Sequence, residues 1–352
     1  MRVRHRRIFV HDYMGGWLDR GIPLFTRNLA VGLQEGGWTV KSLRAWGMQR
    51  KWPRLINHIL GALCEQCLSP ILWRIMRADV AIFPYNAMPI VDVFSKRVHV
   101  VIHDTMAFQF YAPWYTRVYY RVIYFLMMRS GRPVFTVSEQ EVSRLREFGF
   151  RKNTIKVLPN SFVLFRRLVE ASRCRLDVRE VKRNSVLLCT GPAPTKDLQR
   201  MLSELLPAVL DANWEVEVLG LGDYVARGLS EQEWVLRRAT VLGRLSDQEV
   251  AEAYLRNRII WVHSRQEGFG RCLVEGRLAG RPVVCSDIPE FKRLADSGVY
   301  LYKDVGQLLS LLEQAAMDCT LEVYQVYDDK TALMDALRFV ARIAEIDGVV
   351  AD

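Results

Sequence analysis

Between residues 263 and 275 the chain reads His263-Ser264-Arg265-Gln266-Glu267-Gly268-Phe269-Gly270-Arg271-Cys272-Leu273-Val274-Glu275, residue types and spacing suited to holding a phosphorylated sugar. Gly268 and Gly270 let the backbone come close to a ligand and turn amide groups toward it. A helix beginning near Gly270 adds the positive end of its dipole, which suits a phosphate. Glu275 lies about one turn into that helix, where its carboxylate can accept hydrogen bonds from both hydroxyls of a ribose. Glu267 lies in the loop itself, where a sugar attached to the phosphate comes to rest. Taken alone, the segment also reads as a Gly-rich turn with two solvated glutamates.

Chemistry of this kind needs a strand to deliver the loop, and Ile259 to Val262 is a short apolar run of buried-strand type. The same grammar recurs along the chain. Strand candidates are Ile8 to Val10, Trp38 to Val40, Val98 to Ile102, Phe135 to Val137, Ile155 to Leu158, Val186 to Cys189, Glu215 to Leu219 and, as the last clear one, Pro282 to Cys285. Between them lie helices. Phe25, Leu29 and Leu33 recur every fourth residue before Gly36-Gly37 stops the helix, and Ser138 to Glu141 and Ser246 to Glu249 are capping boxes. Strands alternating with helices predict a parallel sheet covered on both faces, here twice over. A length of 352 residues exceeds what one hydrophobic core usually organises. The expected architecture is therefore α/β, with two doubly wound Rossmann-like domains, residues 1–165 and 166–352. Ligands of such sheets bind beyond the carboxyl ends of the strands.

The segment that began at Glu267 continues as Gly276-Arg277-Leu278-Ala279-Gly280-Arg281-Pro282-Val283-Val284 and then Asp287-Ile288-Pro289-Glu290. From Glu267 to Glu290 it resembles the retaining glycosyltransferases of family 4. Their signature is a Glu-Gly-Phe-Gly loop with a second Glu eight residues after the first, an Ala-x-Gly-x-Pro-Val strand entry and a downstream Pro-Glu. The resemblance covers most of the chain. Arg20 to Leu29, including Gly21, resembles the glycine-loop region of the first domain. Val100 to Asp104, Pro113 and Thr136 to Ser138 resemble acceptor-side motifs of the bacterial polysaccharide branch, and Lys156 to Asn160 resembles the interdomain crossover. The resemblance implies the GT-B fold, with the two domains facing a central cleft and the last helix packing back on the first domain.

It also implies roles. Lys196 neutralises the donor diphosphate; Glu275 holds the ribose; Glu267 with the amides of Gly268, Phe269 and Gly270 holds the sugar and phosphate. Gly21 contributes to the donor side, and His103 and Glu267 line the reacting centre, with Asp104 toward the acceptor. No metal is implied, because Lys196 and helix amides stabilise the leaving group. Glu267 is a positioning group, and the leaving phosphate takes the acceptor proton in a front-face departure. Two positions depart from the pattern. Many relatives carry an arginine five or six residues before the lysine as a second phosphate clamp, where this chain has Gly191 and Thr190; and the crossover Asn-Gly is Asn160-Ser161. The clamp is either supplied from elsewhere or lost.

Charge divides unevenly. Residues 1–165 carry 24 Lys and Arg against 10 Asp and Glu, a balance of +14, while the remainder carries 25 against 29, or −4. Arg54, Trp73, Arg74 and Arg77 fall in one segment of the first half that mixes arginine with large apolar side chains. Trp114, Arg117, Arg121 and Arg129 fall in another. Trp and Tyr at the edge of such helices fit an anionic membrane surface, or else the aromatics are core and the arginines a solvated rim. Nothing in the sequence carries a nucleic-acid motif. The seven cysteines have no repeated spacing, which fits reduced thiols, and no signal-peptide or membrane-spanning stretch is seen. The expectation is a metal-independent retaining glycosyltransferase on the inner face of the plasma membrane. It would move a sugar, leaning toward mannose, from a UDP- or GDP-linked nucleotide sugar to a lipid-linked glycan or lipopolysaccharide acceptor. The alternatives are a sugar-nucleotide epimerase of the same fold, or a weakly active or non-catalytic sugar-nucleotide-binding subunit.

Overall fold

The structure is a computed structural model that describes residues 7–12, 21–43, 54–105, 113–158, 160–175, 181–222 and 233–318. Arg20, residues 50–53, Pro159, Asp223, Cys319 and the last helix expected to pack on the first domain lie outside the described residues. The chain divides into two compact units and passes from one to the other between Val163 and Leu164.

The first unit holds a sheet of six parallel strands: β1 (Arg7–His11), β2 (Thr39–Leu43), β3 (Val80–Phe83), β4 (Val98–Ile102), β5 (Val134–Thr136) and β6 (Ile155–Val157). Their order is β2-β1-β3-β4-β5-β6. β3 and β4 are buried along their whole length, as strands covered on both faces must be, and so they are apolar apart from the buried His99 in β4. The helix Ile22–Glu35 buries Phe25, Leu29 and Leu33 as their spacing predicts, and it ends at Gly36.

Two helical segments of this unit carry an apolar face outward. The chain stays helical from Arg54 to Ile75 through a π-helical turn at Cys64–Leu68. Ile56, Ile59, Leu63, Leu68, Ile71 and Ile75 are exposed along it, while Trp73 is buried and donates to Asp92. In the helix Trp114–Ser130 the two expectations for aromatics divide. Tyr124 is buried and Tyr119 and Tyr120 are half-buried, whereas Trp114, Val118, Val122 and Phe125 point outward at the spacing of one helix face. Arg121 and Arg129 are exposed beside them, and the Arg129 guanidinium lies over the Phe125 ring.

The second unit repeats the plan with β7 (Ser185–Cys189), β8 (Glu215–Leu219), β9 (Thr240–Val241), β10 (Ile259–Val262), β11 (Val283–Ser286) and β12 (Val299–Tyr302), all parallel. Sequence reading ends the sheet at β11, but β12 follows it as a half-buried edge strand. β3 and the two-residue β9 also go beyond the strands read from sequence. β9 is too short to stand out by pattern, and β12 alternates tyrosine with aliphatic residues rather than forming an aliphatic run. The order is β12-β11-β10-β7-β8-β9. β7 therefore lies at the centre, with β8 and β9 built out on one side and β10 to β12 on the other. The loops leaving β7 and β10 diverge at their carboxyl ends and open a crevice there. Leu188 pairs with Trp261 and Cys189 with Val262, so the two strands end level. Val186, Leu188, Trp261 and Val284 anchor the core beneath.

Candidate active site

Everything in the second unit that sequence reading assigns to a donor sits at this crevice or just behind it. The loop after β10 is tied to the loop after β7 by backbone as well as side chains. Arg265 N donates to Thr195 O at 2.7 Å, Ser264 Oγ donates to the same carbonyl at 3.1 Å, and Arg265 Nε donates to Asp197 Oδ2 at 2.6 Å. Ser264 N donates to Ser286 Oγ at 2.9 Å, which adds β11 to the tie. Below the loop, the Trp261 indole donates to the Tyr302 hydroxyl at 3.0 Å, and that hydroxyl lies 2.7 Å from His263 Nδ1. An indole N–H can only donate, so the Tyr302 oxygen accepts there and its own proton is available to His263. Burial lowers the His263 pKa to about 4, leaving the ring neutral. His263 thus supports the loop from beneath.

These ties bring the Lys196 ammonium onto the Glu267 carboxylate across 71 residues of sequence. Both side chains keep partial access to solvent, 20% for Lys196 and 17% for Glu267, so a ligand can reach them. Burial draws the lysine pKa down, but the adjacent Glu267 carboxylate together with the Cys272 and Cys189 thiols outweighs it and holds the ammonium above the ordinary lysine value. Lys196 is therefore a fixed positive charge at neutral pH. Beside the pair, a cavity of about 330 Å³ opens toward β11 and β12, lined by Asp197, Arg200, His263, Arg265, Asp287 and Lys303 among others.

The helix Arg271–Leu278 starts at Gly270, whose φ of +95° is left-handed. A Cβ there would come within 3.1 Å of Phe291 and Leu294, so both conformation and space call for glycine. This turn aims the helix at the crevice, and the first N–H groups of an α-helix have no acceptor within the helix. Glu275, one turn in, is fully buried. Its Oε2 accepts from the Tyr254 hydroxyl at 3.0 Å and its Oε1 faces Arg271 Nη2 at 3.3 Å. Cys189 Sγ donates to the same Tyr254 hydroxyl at 3.4 Å, and Cys189 and Cys272 lie against each other behind Lys196. The crevice therefore carries two cation–carboxylate pairs, Lys196 with Glu267 and Arg271 with Glu275.

His103, Asp104 and Gly21 belong to the first unit. His103 follows β4 and is buried; its N–H donates to Asn86 Oδ1 at 2.6 Å and its ring meets Phe25 edge-on at 4.5 Å. Asp104 is half-buried and acts electrostatically on Tyr120 and Tyr124. Gly21, with φ of +74°, begins the helix that carries Phe25. Just beyond the ends of β1 and β3, Tyr85 donates to Asp12 Oδ1 at 2.9 Å, and Ser69 bonds Nδ1 of His11, the last residue of β1, at 2.7 Å. That too is a switch point of its sheet.

Comparison with known proteins bears on the fold and on the second unit. Residues 184–318 match the family model Glycosyl transferases group 1. A stretch of 84 residues is 36% identical to the serotype-specific mannosyltransferase WbdA of Escherichia coli, covering 21% of this chain and 10% of that protein. The chain thus spans a small part of the length of that relative. Over 98% of this chain and all of the other, the structure is similar to Anabaena HepE in complex with UDP and glucose, with a TM-score of 0.62 at 17% identity. It is similar over 95% of its length to 99% of WaaG, a glycosyltransferase involved in lipopolysaccharide biosynthesis, with a TM-score of 0.64 at 14% identity. At such identities the likeness concerns the fold. The fold is GT-B.

Within this GT-B fold, several site residues escaped sequence reading. Tyr254 lies on the helix Asp247–Arg256 and reads as ordinary core. Asp197, Ser264 and Tyr302 act as ties whose partners are remote in sequence. Arg271 stood inside the Gly-rich motif, and its position at a helix start was the signal that could have singled it out.

Proposed function

We propose that this chain is a retaining glycosyltransferase of family 4 that takes a sugar from a UDP- or GDP-linked donor and passes it to a lipid-linked glycan or lipopolysaccharide. The observation that carries the proposal is the presence of two cation–carboxylate pairs at the switch point of a unit matching Glycosyl transferases group 1. A nucleotide sugar presents a ribose diol, a diphosphate and sugar hydroxyls in that order. Glu275 meets the diol, Lys196 and the amides of Gly268, Phe269 and Gly270 meet the diphosphate, and Glu267 meets the sugar. Charge building on the leaving diphosphate is stabilised by Lys196 and the helix amides without a dedicated metal ion. The leaving phosphate takes the acceptor proton on the same face, which retains configuration. His103 and Asp104 serve the acceptor side.

HepE is described with UDP and with UDP-glucose, which supports a nucleotide-sugar donor, and WbdA supports mannose as the sugar. Among the described residues no helix is long and apolar enough to cross a membrane. The outward apolar faces of the first unit and its excess of arginine support peripheral attachment to the anionic inner face of the plasma membrane.

The test is incubation with a panel of UDP- and GDP-sugars, with and without a lipid-linked acceptor fraction. Nucleotide release only with acceptor, and an unchanged anomeric configuration in the product, is expected. Donor turnover without acceptor would identify an epimerase, and binding without turnover a non-catalytic subunit; either overturns the proposal.

A further inference from the structure

We infer that the cavity beyond the ends of β10, β11 and β12 binds a phosphorylated hexose, at a site separate from the donor crevice. None of its lining residues is one assigned above to the nucleotide sugar. Its volume of about 330 Å³ lies at the small end of the roughly 300–1,000 Å³ usual for ligand sites, which suits one sugar better than a whole nucleotide sugar.

The floor of the cavity points to a ligand. His263 lines it with only 4% of its side chain exposed. Two hydroxyls flank its Nδ1, that of Tyr302 at 2.7 Å and that of Ser286 at 3.1 Å. With Nδ1 accepting from Tyr302, the proton of the neutral ring belongs to Nε2. That N–H is buried and finds no acceptor among the described residues, which is costly unless another molecule supplies one. Asp197 Oδ2 faces it at 4.0 Å and already accepts from Arg265 Nε at 2.6 Å. The two atoms are too far apart to bond each other and near enough for one oxygen to bond both. A sugar hydroxyl does so, accepting from His263 and donating to Asp197.

The rim carries the opposite chemistry. Arg200, Arg265 and Lys303 reach the cavity from the segments that follow β7, β10 and β12. Arg265 and Lys303 are exposed by 67% and 72%. Lys292 holds the Asp287 carboxylate at 2.8 Å, so Lys303, 3.6 Å from the same group, is a surplus cation. Arg200 pairs only with Glu204 on its own exposed helical turn, a contact of little strength. Three cations from three segments match the three terminal oxygens of a phosphate monoester, where a carboxylate offers two. Hydroxyl recognition on the floor and phosphate recognition at the rim together define the ligand.

The test is calorimetric titration of glucose 6-phosphate, mannose 6-phosphate, the two free sugars and inorganic phosphate into the wild type, Lys303→Met, His263→Phe and Lys196→Met. Saturable binding of at least one sugar phosphate is expected, at least about tenfold tighter than its free sugar or phosphate alone. Lys303→Met should weaken it about tenfold and leave UDP and GDP affinity unchanged. His263→Phe keeps a ring without the N–H and should weaken it by a similar factor; if that variant does not fold, the exposed Lys303 decides alone. Methyl glucoside 6-phosphate, blocked at C1 as a sugar within a glycan is, tells a free ligand from a glycan-borne one, and binding or exclusion of it alongside glucose 6-phosphate binding fulfils the inference. Absence of saturable sugar phosphate binding, or inorganic phosphate binding as tightly, overturns it. So does a loss caused by Lys196→Met but not by Lys303→Met, which would put the sugar phosphate in the donor crevice.

Discussion

The Tyr254 hydroxyl donates to Oε2 of Glu275 at 3.0 Å, with both side chains fully buried. Tyr254→Phe keeps the shape of the ring, which packs edge-on against Phe165, and removes the donor to Glu275 together with the acceptor of the weak Cys189 thiol bond. A bond to a buried carboxylate is worth roughly 1.5–3 kcal/mol, so the urea midpoint should fall by that equivalent with an unchanged slope. Nucleoside affinity should fall as well, because Glu275 loses the group that orients it. An unchanged midpoint would show that the carboxylate does not depend on Tyr254.

Lys196 and Glu267 form a pair whose members should fail differently. Both side chains are about four-fifths buried, so removing either partner leaves the other charge poorly solvated, and the thermal midpoints of Lys196→Met and Glu267→Gln should both fall. Lys196→Met should cost about one to two decades of nucleoside diphosphate affinity. Glu267→Gln should bind the diphosphate within a few-fold of wild type and lose turnover of the nucleotide sugar. Equal loss of diphosphate affinity in both variants would contradict the division of roles.

Two buried groups should give stability a dependence on pH of opposite sign. Burial lowers the His263 pKa to about 4 from an ordinary 6.5. The unfolded chain therefore binds a proton there that the folded chain refuses. The contribution is fully present above pH 6.5 and is lost as pH falls toward 4, a loss of roughly 3 kcal/mol. Glu65 is the reverse case: burial raises its pKa to about 7 from 4.5, against the lowering effect of hydrogen bonds from Tyr119 and Gln66. Its contribution is full below pH 4.5 and is lost as pH rises through 7. In urea titrations from pH 4 to 8, Glu65→Gln should gain on the wild type as pH rises. His263→Gln should lose less than the wild type as pH falls. Parallel curves for all three proteins would refute both assignments.

The outward face of the helix Trp114–Ser130 should set membrane affinity. Trp114, Val118, Val122 and Phe125 are all exposed, Trp114 by 70%. Burying one such side chain in a lipid interface is worth about 1.5–3 kcal/mol. Trp114→Ala with Phe125→Ala should reduce flotation with anionic vesicles at least about tenfold, and high salt should reduce it further through Arg121 and Arg129. Flotation equal to the wild type would move the docking surface elsewhere.

Local spacing settled what lies within one element or one loop. The helix stripe of Phe25, Leu29 and Leu33, the capping box at Ser246 with Glu249, and the turn at Gly270 into the helix of Glu275 were all legible. Each depends on contacts or dihedrals only a few residues apart. At Ser138 the same four-residue pattern is only partly realised in the expected way: Ser138 caps Glu141 N, while the Glu141 carboxylate pairs with Arg144.

What the sequence left open depends on sheet order. Lys196 meets Glu267 because β10 pairs with β7, which in turn requires β8 and β9 to stand on the far side. No local pattern encodes that choice, since strand pairing depends on contacts between segments far apart in the chain. The same holds for Asp197 with Arg265 and Tyr254 with Glu275. Helix phase is decided in the same way. Arg117, Arg121 and Arg129 and their aromatic neighbours were visible as composition, but only packing on the sheet turned Tyr124 inward and Trp114 outward. Glu65 reads as a solvated residue of an amphipathic helix, and packing against Tyr119 is what buries it. Sequence determined the chemical groups and their local poise; tertiary structure decided which of them share a low-dielectric site, because that depends on contacts between segments far apart in the chain.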